Sequence, residues 1–206
     1  MSTIILANGR FPAHPIPLAE LKNAMRVVCC DGSVEHLEVL EMEPTAIVGD
    51  LDSVSDELKE KFADRLFFNP DQDSNDLTKA IHWCKDRGYD EVTILAGTGM
   101  RDDHTMGNIG LLPSYKRLGV NVKMVTDYGT LLPLLSSTML ESYEGQQVSI
   151  FSFNTSTRIT TRNLKYPIEN VQLTEPWMGT LNQSLGSWFE LKFEPGPLVV
   201  FLSHKS

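Results

Sequence analysis

Four short segments of this chain concentrate oxygen-bearing and cationic side chains, each directly after an apolar run. The first is Gly49-Asp50-Leu51-Asp52-Ser53, behind Ala46-Ile47-Val48. Residues two apart in an extended chain share a face, so Asp50 and Asp52 can offer two oxygens to one Mg²⁺. Without a cation, two parallel carboxylates repel each other. The competing reading is a surface turn in which Asp52 or Ser53 caps the next helix.

The second segment runs from Asn69 to Lys79 and is dense in oxygen donors. It leads into a helical pattern, and a helix start offers free N–H groups and partial positive charge to phosphate oxygens. There Asp76 can reach a metal and Lys79 a phosphate. Capping by Asp73 or Ser74 explains one or two of these residues, but not Gln72, Asp76 and Lys79 together. The third segment, Gly97 to Asn108, joins a Gly-rich turn to Arg101, Asp103 and His104. The glycines permit close backbone approach to a ligand, Arg101 suits a phosphate, and Asp103 can orient it or take part in the site. On its own a Gly-rich loop is a weak signal, and His104 also reads as a helix-start or packing histidine. The fourth, Asp31-Gly32-Ser33, adds a carboxylate beside a flexible turn.

These clusters need a scaffold that brings strand ends to one edge. Short β-rich runs at Thr3 to Ala7, Arg26 to Cys30, Ala46 to Gly49, Leu66 to Asn69, Glu91 to Ala96 and Asn121 to Thr126 alternate with helical patterns. That is the signature of a mostly parallel α/β sheet, whose ligands sit at the carboxyl ends of the strands. The clearest helix follows Asp73, with Leu77, Ala80, Ile81 and Cys84 on one face and Gly88 as the stop. A second is expected from about His104, with Met106, Ile109 and Leu112 facing the sheet and Pro113 kinking it or starting a new turn. Beyond Asp127 the segments Gln147 to Phe153, Thr157 to Arg162, Trp188 to Phe193 and Leu198 to Leu202 suggest a C-terminal β-sandwich. The expected division is therefore an α/β domain over 1–126 and a β-sandwich over 127–206. Trp177 and Trp188 read as core aromatics of that sandwich in preference to a stacking surface.

Composition narrows the function. The 206 residues carry a net charge of −9, and residues 31 to 76 hold 14 Asp and Glu against three Lys and Arg. Nucleic-acid binding is not expected without a basic face for phosphate. A cation bound in the acidic stretch would reconcile it with an anionic ligand, although Glu35, Glu38, Glu41 and Glu60 read as solvated helix faces. No apolar run approaches the ~18 residues of a membrane span, and the first residues lack the pattern of a secretory signal. Three cysteines, with Cys29 and Cys30 adjacent, form neither a paired framework nor a metal spacing. Reduced thiols in a cytoplasmic protein are expected.

Cys30-Asp31-Gly32-Ser33, Val48-Gly49-Asp50-Leu51-Asp52-Ser53, Asp71-Gln72-Asp73-Ser74-Asn75-Asp76-Leu77-Thr78-Lys79 and Arg101-Asp102-Asp103-His104-Thr105-Met106-Gly107-Asn108, in this order and spacing, resemble the thiamine pyrophosphokinase family. The resemblance covers the whole chain. It implies an N-terminal α/β domain, a C-terminal β-sandwich, a homodimer with sites between subunits, and transfer of a diphosphoryl group from ATP to thiamine. By that resemblance Asp50, Asp52 and Asp76 hold Mg²⁺, while Gln72, Asp73, Lys79 and Arg101 hold phosphates or the metal's water shell. Asp31, Gly32, Asn75, Asp103, His104 and Asn108 shape the nucleotide pocket, and Asp76 or Asp103 receives the hydroxyl proton.

In the C-terminal part, Leu164-Lys165-Tyr166-Pro167-Ile168 resembles the family's Gly-Leu-Lys-Trp/Tyr-Pro-Leu segment, with Asn163 in place of Gly. Gly179-Thr180-Leu181-Asn182-Gln183 resembles its Gly-x-Ser-Asn-Glu thiamine-contacting element. Asn182 carries over, Leu181 stands where Ser is usual, Gln183 where Glu is, and Leu185 where an aromatic sometimes follows. Asn75 stands where Thr is frequent. These departures leave open an acceptor other than thiamine, such as a hydroxymethyl pterin, or a nucleotide sensor without turnover.

Overall fold

The computed structural model describes residues 2–205. They form two compact units, one holding the chain up to Ile109 with Gly119–Asp127, the other Gly110–Leu118 with the chain from Tyr128 on.

The first unit is a six-stranded parallel sheet. Its strands are β1 (Thr3–Leu6), β2 (Arg26–Cys30), β3 (Ala46–Gly49), β4 (Leu66–Phe68), β5 (Glu91–Leu95) and β6 (Asn121–Val125). They lie in the order β6-β5-β1-β2-β3-β4, every pairing parallel. The chain winds outward from β1 to β4 and then returns to the far side of β1 for β5. The order therefore reverses between β1 and β5, where open α/β sheets have their ligand crevice. The apolar runs of β1, β2, β3 and β5 are buried on both faces, as crossover helices demand, whereas the edge strand β4 leaves Phe68 exposed. One face carries Ile4, Leu6, Val27, Cys29 and Ile47 against Leu21 of α1 (Pro15–Lys22), Val34 and Leu37 of α2 (Val34–Val39) and Leu58 of α3 (Asp56–Lys61). Alternation sends Ile5, Val28 and Val48 to the other face. There α4 (Asp76–Asp86) packs across β1, β2 and β3 through Leu77, Ala80, Ile81 and Cys84, the stripe expected from the sequence.

The end of α4 follows the expected stop: Gly88 takes a φ of +71°, its N–H donates to Lys85 O, and the Tyr89 N–H reaches back to Cys84 O. Its beginning differs, because Asn75, and neither Asp73 nor Ser74, is the cap, accepting from the Thr78 N–H at 2.9 Å. The next helix, α5 (Asp102–Arg117), starts two residues earlier than expected and runs on through Pro113. Leu112 is buried as expected, whereas Met106 is 74 % exposed and does not face the sheet.

The second unit holds two antiparallel sheets. One orders as β7 (Gly129–Leu134), β14 (Leu198–Ser203), β9 (Gln147–Ser152) and β12 (Asn182–Gln183). The other orders as β8 (Thr138–Glu141), β13 (Trp188–Glu194), β10 (Arg158–Arg162) and β11 (Val171–Gln172). Val148, Ile150, Leu198 and Val200 from the first meet Ile159, Phe189, Leu191 and Phe193 from the second in one core, making a β-sandwich. The four expected segments are β9, β10, β13 and β14. The short partners β8, β11 and β12 and the Pro-containing β7 were not expected, since proline and brevity mask a strand pattern. Trp177 is 72 % and Trp188 40 % exposed, so neither is a core aromatic. All three cysteines are free thiols and buried. Among the described residues no helix is long and apolar enough to cross a membrane.

Candidate active site

At the switch point the carboxyl ends of β1, β2, β3 and β5 and the N-termini of α4 and α5 surround a cleft of about 530 Å³. Three strand ends leave the sheet through left-handed backbone at non-glycine residues: Asp31 after β2 (φ +47°), Leu51 after β3 (φ +61°) and Ala96 after β5 (φ +53°). Such strain persists only where the surrounding structure enforces it, and it concentrates at functional sites. Close approach excludes a Cβ at Gly9 and crowds one at Gly49. A Cβ at Gly9 would lie 2.3 Å from Ala96 O, and one at Gly49 would meet the Asp31 and Asp76 side chains at 3.1 and 3.3 Å.

Asp31, Asp50 and Asp52 each present a carboxylate oxygen within 4.8 Å of the others. Asp31 is 4 % exposed; its Oδ2 accepts from the Ser53 hydroxyl and from the Ser53 N–H at 3.3 Å. Its Oδ1 is buried without a hydrogen-bond partner among the described residues. A buried, unsatisfied carboxylate oxygen is costly unless something binds it. The charge of Asp50, reinforced by Asp31, raises the Asp52 carboxyl above its ordinary value. Desolvation, the largest single influence on Asp50, pushes it upward, but the Asp52 N–H, the Gln72 amide and the Lys79 charge together outweigh it, so Asp50 is lowered. An all-carboxylate donor set with an orphaned oxygen and mutual repulsion fits a hard divalent cation such as Mg²⁺.

Lys79 also lines the cleft, 4 % exposed, its Nζ 2.9 Å from Asp76 Oδ1 and its charge felt by Asp50. Gln72 Nε2 reaches toward Asp50 Oδ2 at 3.5 Å, too long for a strong bond. The Asn75 side chain is taken up by the α4 cap and by donation to Asn108 Oδ1 at 3.1 Å; Asn108 in turn donates to Gly97 O at 2.9 Å. These two amides tie the starts of α4 and α5 to the β5 loop. Arg101 lines the cleft from the start of α5, with its guanidinium on Asp103.

Of the residues singled out in the sequence, the cleft gathers Asp31, Asp50, Asp52, Gln72, Asn75, Asp76, Lys79, Arg101, His104 and Asn108. Gly32, Asp73 and Asp103 are not among its lining residues. Gly32 is buried with its N–H on Ser53 Oγ at 3.2 Å, and the Asp73 N–H donates to Asp71 Oδ1 at 2.9 Å. Asp31 groups with Asp50 and Asp52, while Asp76, expected to hold the metal with those two, lines the same cleft with its Oδ1 on Lys79. Ser53, Thr98 and Met100, which lie in the segments singled out but had no site role assigned, also line the cleft, as do Asn8 and Gly9, which lie outside those segments. Asn8-Gly9, a turn pair directly behind the first apolar run, is the signal that was available.

Leu181, Asn182 and Gln183 lie in the second unit. Asn182 is 5 % exposed, and its amide makes three hydrogen bonds: Oδ1 accepts from the Tyr166 and Gln183 N–H groups at 3.0 and 2.9 Å, and Nδ2 donates to Tyr166 O at 2.6 Å. It clamps the Lys165-Tyr166 segment to β12. Leu181, with a φ of +59°, is 73 % exposed, and Gln183 donates to Gly145 O at 3.1 Å.

Comparison with known proteins agrees with this geometry. The family model for the thiamin pyrophosphokinase catalytic domain matches residues 18–124, and that for the thiamin pyrophosphokinase substrate-binding domain matches residues 129–201. Thiamin pyrophosphokinase 1 of Caenorhabditis elegans is 25% identical over 180 residues, 71% of this chain and 65% of that protein. Thiamine pyrophosphokinase of Bacillus subtilis (strain 168) is 28% identical over 140 residues, 64% of either chain. The chain thus spans just under two thirds of each of these relatives. A crystal structure of thiamine pyrophosphokinase from Bacillus subtilis superposes with a TM-score of 0.84 at 20% identity over 100% of both chains, which establishes a common fold. With both family models matched in order along the sequence, the chain belongs to the thiamin pyrophosphokinase family.

Proposed function

We propose that this protein is a Mg²⁺-dependent thiamine diphosphokinase, transferring the diphosphoryl group of ATP to the hydroxyethyl oxygen of thiamine. The observation that carries the reading is the trio Asp31, Asp50 and Asp52, with its orphaned buried oxygen, lining one switch-point cleft with Lys79 and Arg101 in a chain of this family. Asp31, Asp50 and Asp52 would hold the cation, with Asp76 beside them. Mg²⁺, when bound, neutralises phosphate oxygens that would otherwise repel the incoming alcohol.

The chain's own residues supply position and charge. Lys79, buried and fixed by Asp76, offers a point charge to the transferred phosphates, and Arg101 offers a planar fork. The N–H groups at the start of α4 add partial positive charge on the same side. Attack by the hydroxyethyl oxygen on the β-phosphorus forms the new P–O bond as the bond from that phosphorus to the α,β-bridging oxygen breaks. AMP leaves with the bridging oxygen. Asp76, which lines the cleft, is better placed than Asp103 to receive the hydroxyl proton. Acceptor selection falls to the second unit, with Leu181 and Gln183 presented around the turn that Asn182 fixes. We place the enzyme in the cytoplasm as a homodimer, its buried thiols reduced.

One feature favours a second acceptor class: Leu181 and Leu185, 73 % and 53 % exposed, present alkyl groups in place of polar or aromatic ones. Competition between thiamine and a hydroxymethyl pterin, with the products identified by mass, separates the two. Thiamine diphosphate as the dominant product supports the first reading, and pterin diphosphate would replace it. A nucleotide sensor would bind ATP and release no AMP with either alcohol.

A further inference from the structure

Arg101 is held at both of its ends. Its carbonyl accepts from the N–H and the hydroxyl of Thr105, both at 3.1 Å. Its guanidinium lies edge-on to Asp103, with Nε 3.1 Å from Oδ1 and Nη2 2.5 Å from Oδ2. Asp103 is itself fixed, because Oδ1 also accepts from the His104 N–H at 2.8 Å at the start of α5. A guanidinium has five N–H donors in a rigid plane. The bidentate pair engages one on Nε and one on Nη2, leaving two on Nη1 and one on Nη2. One on Nη1 and the one on Nη2 form the other fork of the same plane, sufficient for two parallel bonds to a phosphate. Arg101 lines the cleft, whereas Asp103 is not among the lining residues.

We propose that Asp103 is a positioning residue that acts on ATP only through Arg101, clamping one edge of the guanidinium so that the opposite edge is preset toward the phosphates. This rests on the phosphotransfer reading of the cleft and assigns Asp103 a role distinct from nucleotide ligand or proton acceptor. An isolated surface ion pair contributes little to stability, but this one has a different consequence. Arginine carries several rotatable bonds, and fixing them before ATP arrives removes part of the ordering cost of binding.

A double-mutant cycle tests the idea, with ATP affinity measured by calorimetry in the presence of Mg²⁺ and AMP release measured in parallel. Asp103→Asn keeps an oxygen for the His104 N–H while losing the charged clamp, so the helix start is preserved. In the wild-type background Asp103→Asn should weaken ATP binding and raise the KM for ATP roughly ten-fold, within the usual range of coupling between contacting residues. The thiamine KM should be unchanged. In an Arg101→Ala background the same substitution should change nothing, and Asp103→Glu should restore part of the loss. Additive losses would overturn the proposal by showing that Asp103 touches substrate directly. So would a normal Asp103→Asn enzyme beside a defective Asp103→Ala, which would mark a helix cap. Tighter ATP binding in Asp103→Asn would also overturn it, by showing simple charge repulsion. If wild-type protein binds ATP without releasing AMP, the diphosphokinase reading fails while the cycle, read on affinity, still decides the role of Asp103. No ATP binding by the wild type would overturn both.

Discussion

Asp31, Asp50 and Asp52 stand close enough to repel because of the backbone that carries them: Asp31 leaves β2 in left-handed conformation, Asp50 and Asp52 flank the left-handed Leu51 after β3, and Gly49 lacks the Cβ that would crowd Asp31 and Asp76. A cation is the direct relief. Replacing Asp31, Asp50 or Asp52 with Asn should each lower kcat by at least about 100-fold with the fold retained, since several kcal/mol of charge stabilisation is removed at every tenfold per 1.36 kcal/mol. Steady-state AMP release alongside circular dichroism checks this, and wild-type turnover in all three would discard the metal assignment. Asp52 provides a second test. Its folded carboxyl is raised from 3.8 mainly by the charge of Asp50. The sign follows from linkage: the protonated form suits the folded state, so the repulsion is absent at low pH and appears as pH rises through the folded value. In metal-free protein an NMR titration should place the Asp52 midpoint above 3.8, and Asp50→Asn should move it back toward 3.8. Adding Mg²⁺ at neutral pH should raise the melting temperature of the wild type more than that of Asp50→Asn. An Asp52 midpoint that ignores Asp50 would contradict the cluster.

At the scale of elements, the six parallel strands and α4 were legible because a strand buried on both faces must be continuously apolar and an amphipathic helix must repeat its stripe. Ile47-Val48 and the Leu77, Ala80, Ile81, Cys84 spacing can satisfy no other environment as well. The cap of α4 was not legible, since Asp73, Ser74 and Asn75 are all good caps and only tertiary contact selects among them. The selection comes from Asn108, which binds Asn75 and anchors it to the β5 loop. Asn75→Ala should therefore cost about 1 kcal/mol of stability, the usual value of a lost cap, and also loosen the cleft wall. Chemical denaturation measures the first, and an increased KM for ATP the second. Asp31 was legible as a further carboxylate at a strand end, but its close grouping with Asp50 and Asp52 was not. Which strand ends become neighbours depends on sheet order, and the adjacency of β2 and β3 is a property of the fold.

Over the whole molecule, the acidity of residues 31 to 76 is explained in part by the cleft, where Asp31, Asp50, Asp52 and Asp76 converge. The chemistry proposed for the cleft was more readable than that proposed for the acceptor. Its residues are charged and closely spaced, whereas the second unit is built from short strands whose polar groups serve its own backbone. Asn182 illustrates this, being buried and spent on Tyr166 and Gln183. Asn182→Ala should destabilise the protein by about 1–3 kcal/mol, the cost of leaving buried partners unsatisfied. It should raise the KM for thiamine as a consequence of the displaced turn. Denaturant midpoints and acceptor kinetics on the same preparation would show both effects, and an unchanged midpoint would contradict the clamp. The central claim is transfer of two phosphoryl groups in one step from ATP to thiamine. Its most direct measurement is ³¹P NMR of a reaction containing the protein, ATP, Mg²⁺ and thiamine. The account predicts stoichiometric AMP and thiamine diphosphate, dependent on both thiamine and Mg²⁺, and ADP with thiamine monophosphate, or no turnover at all, would contradict it.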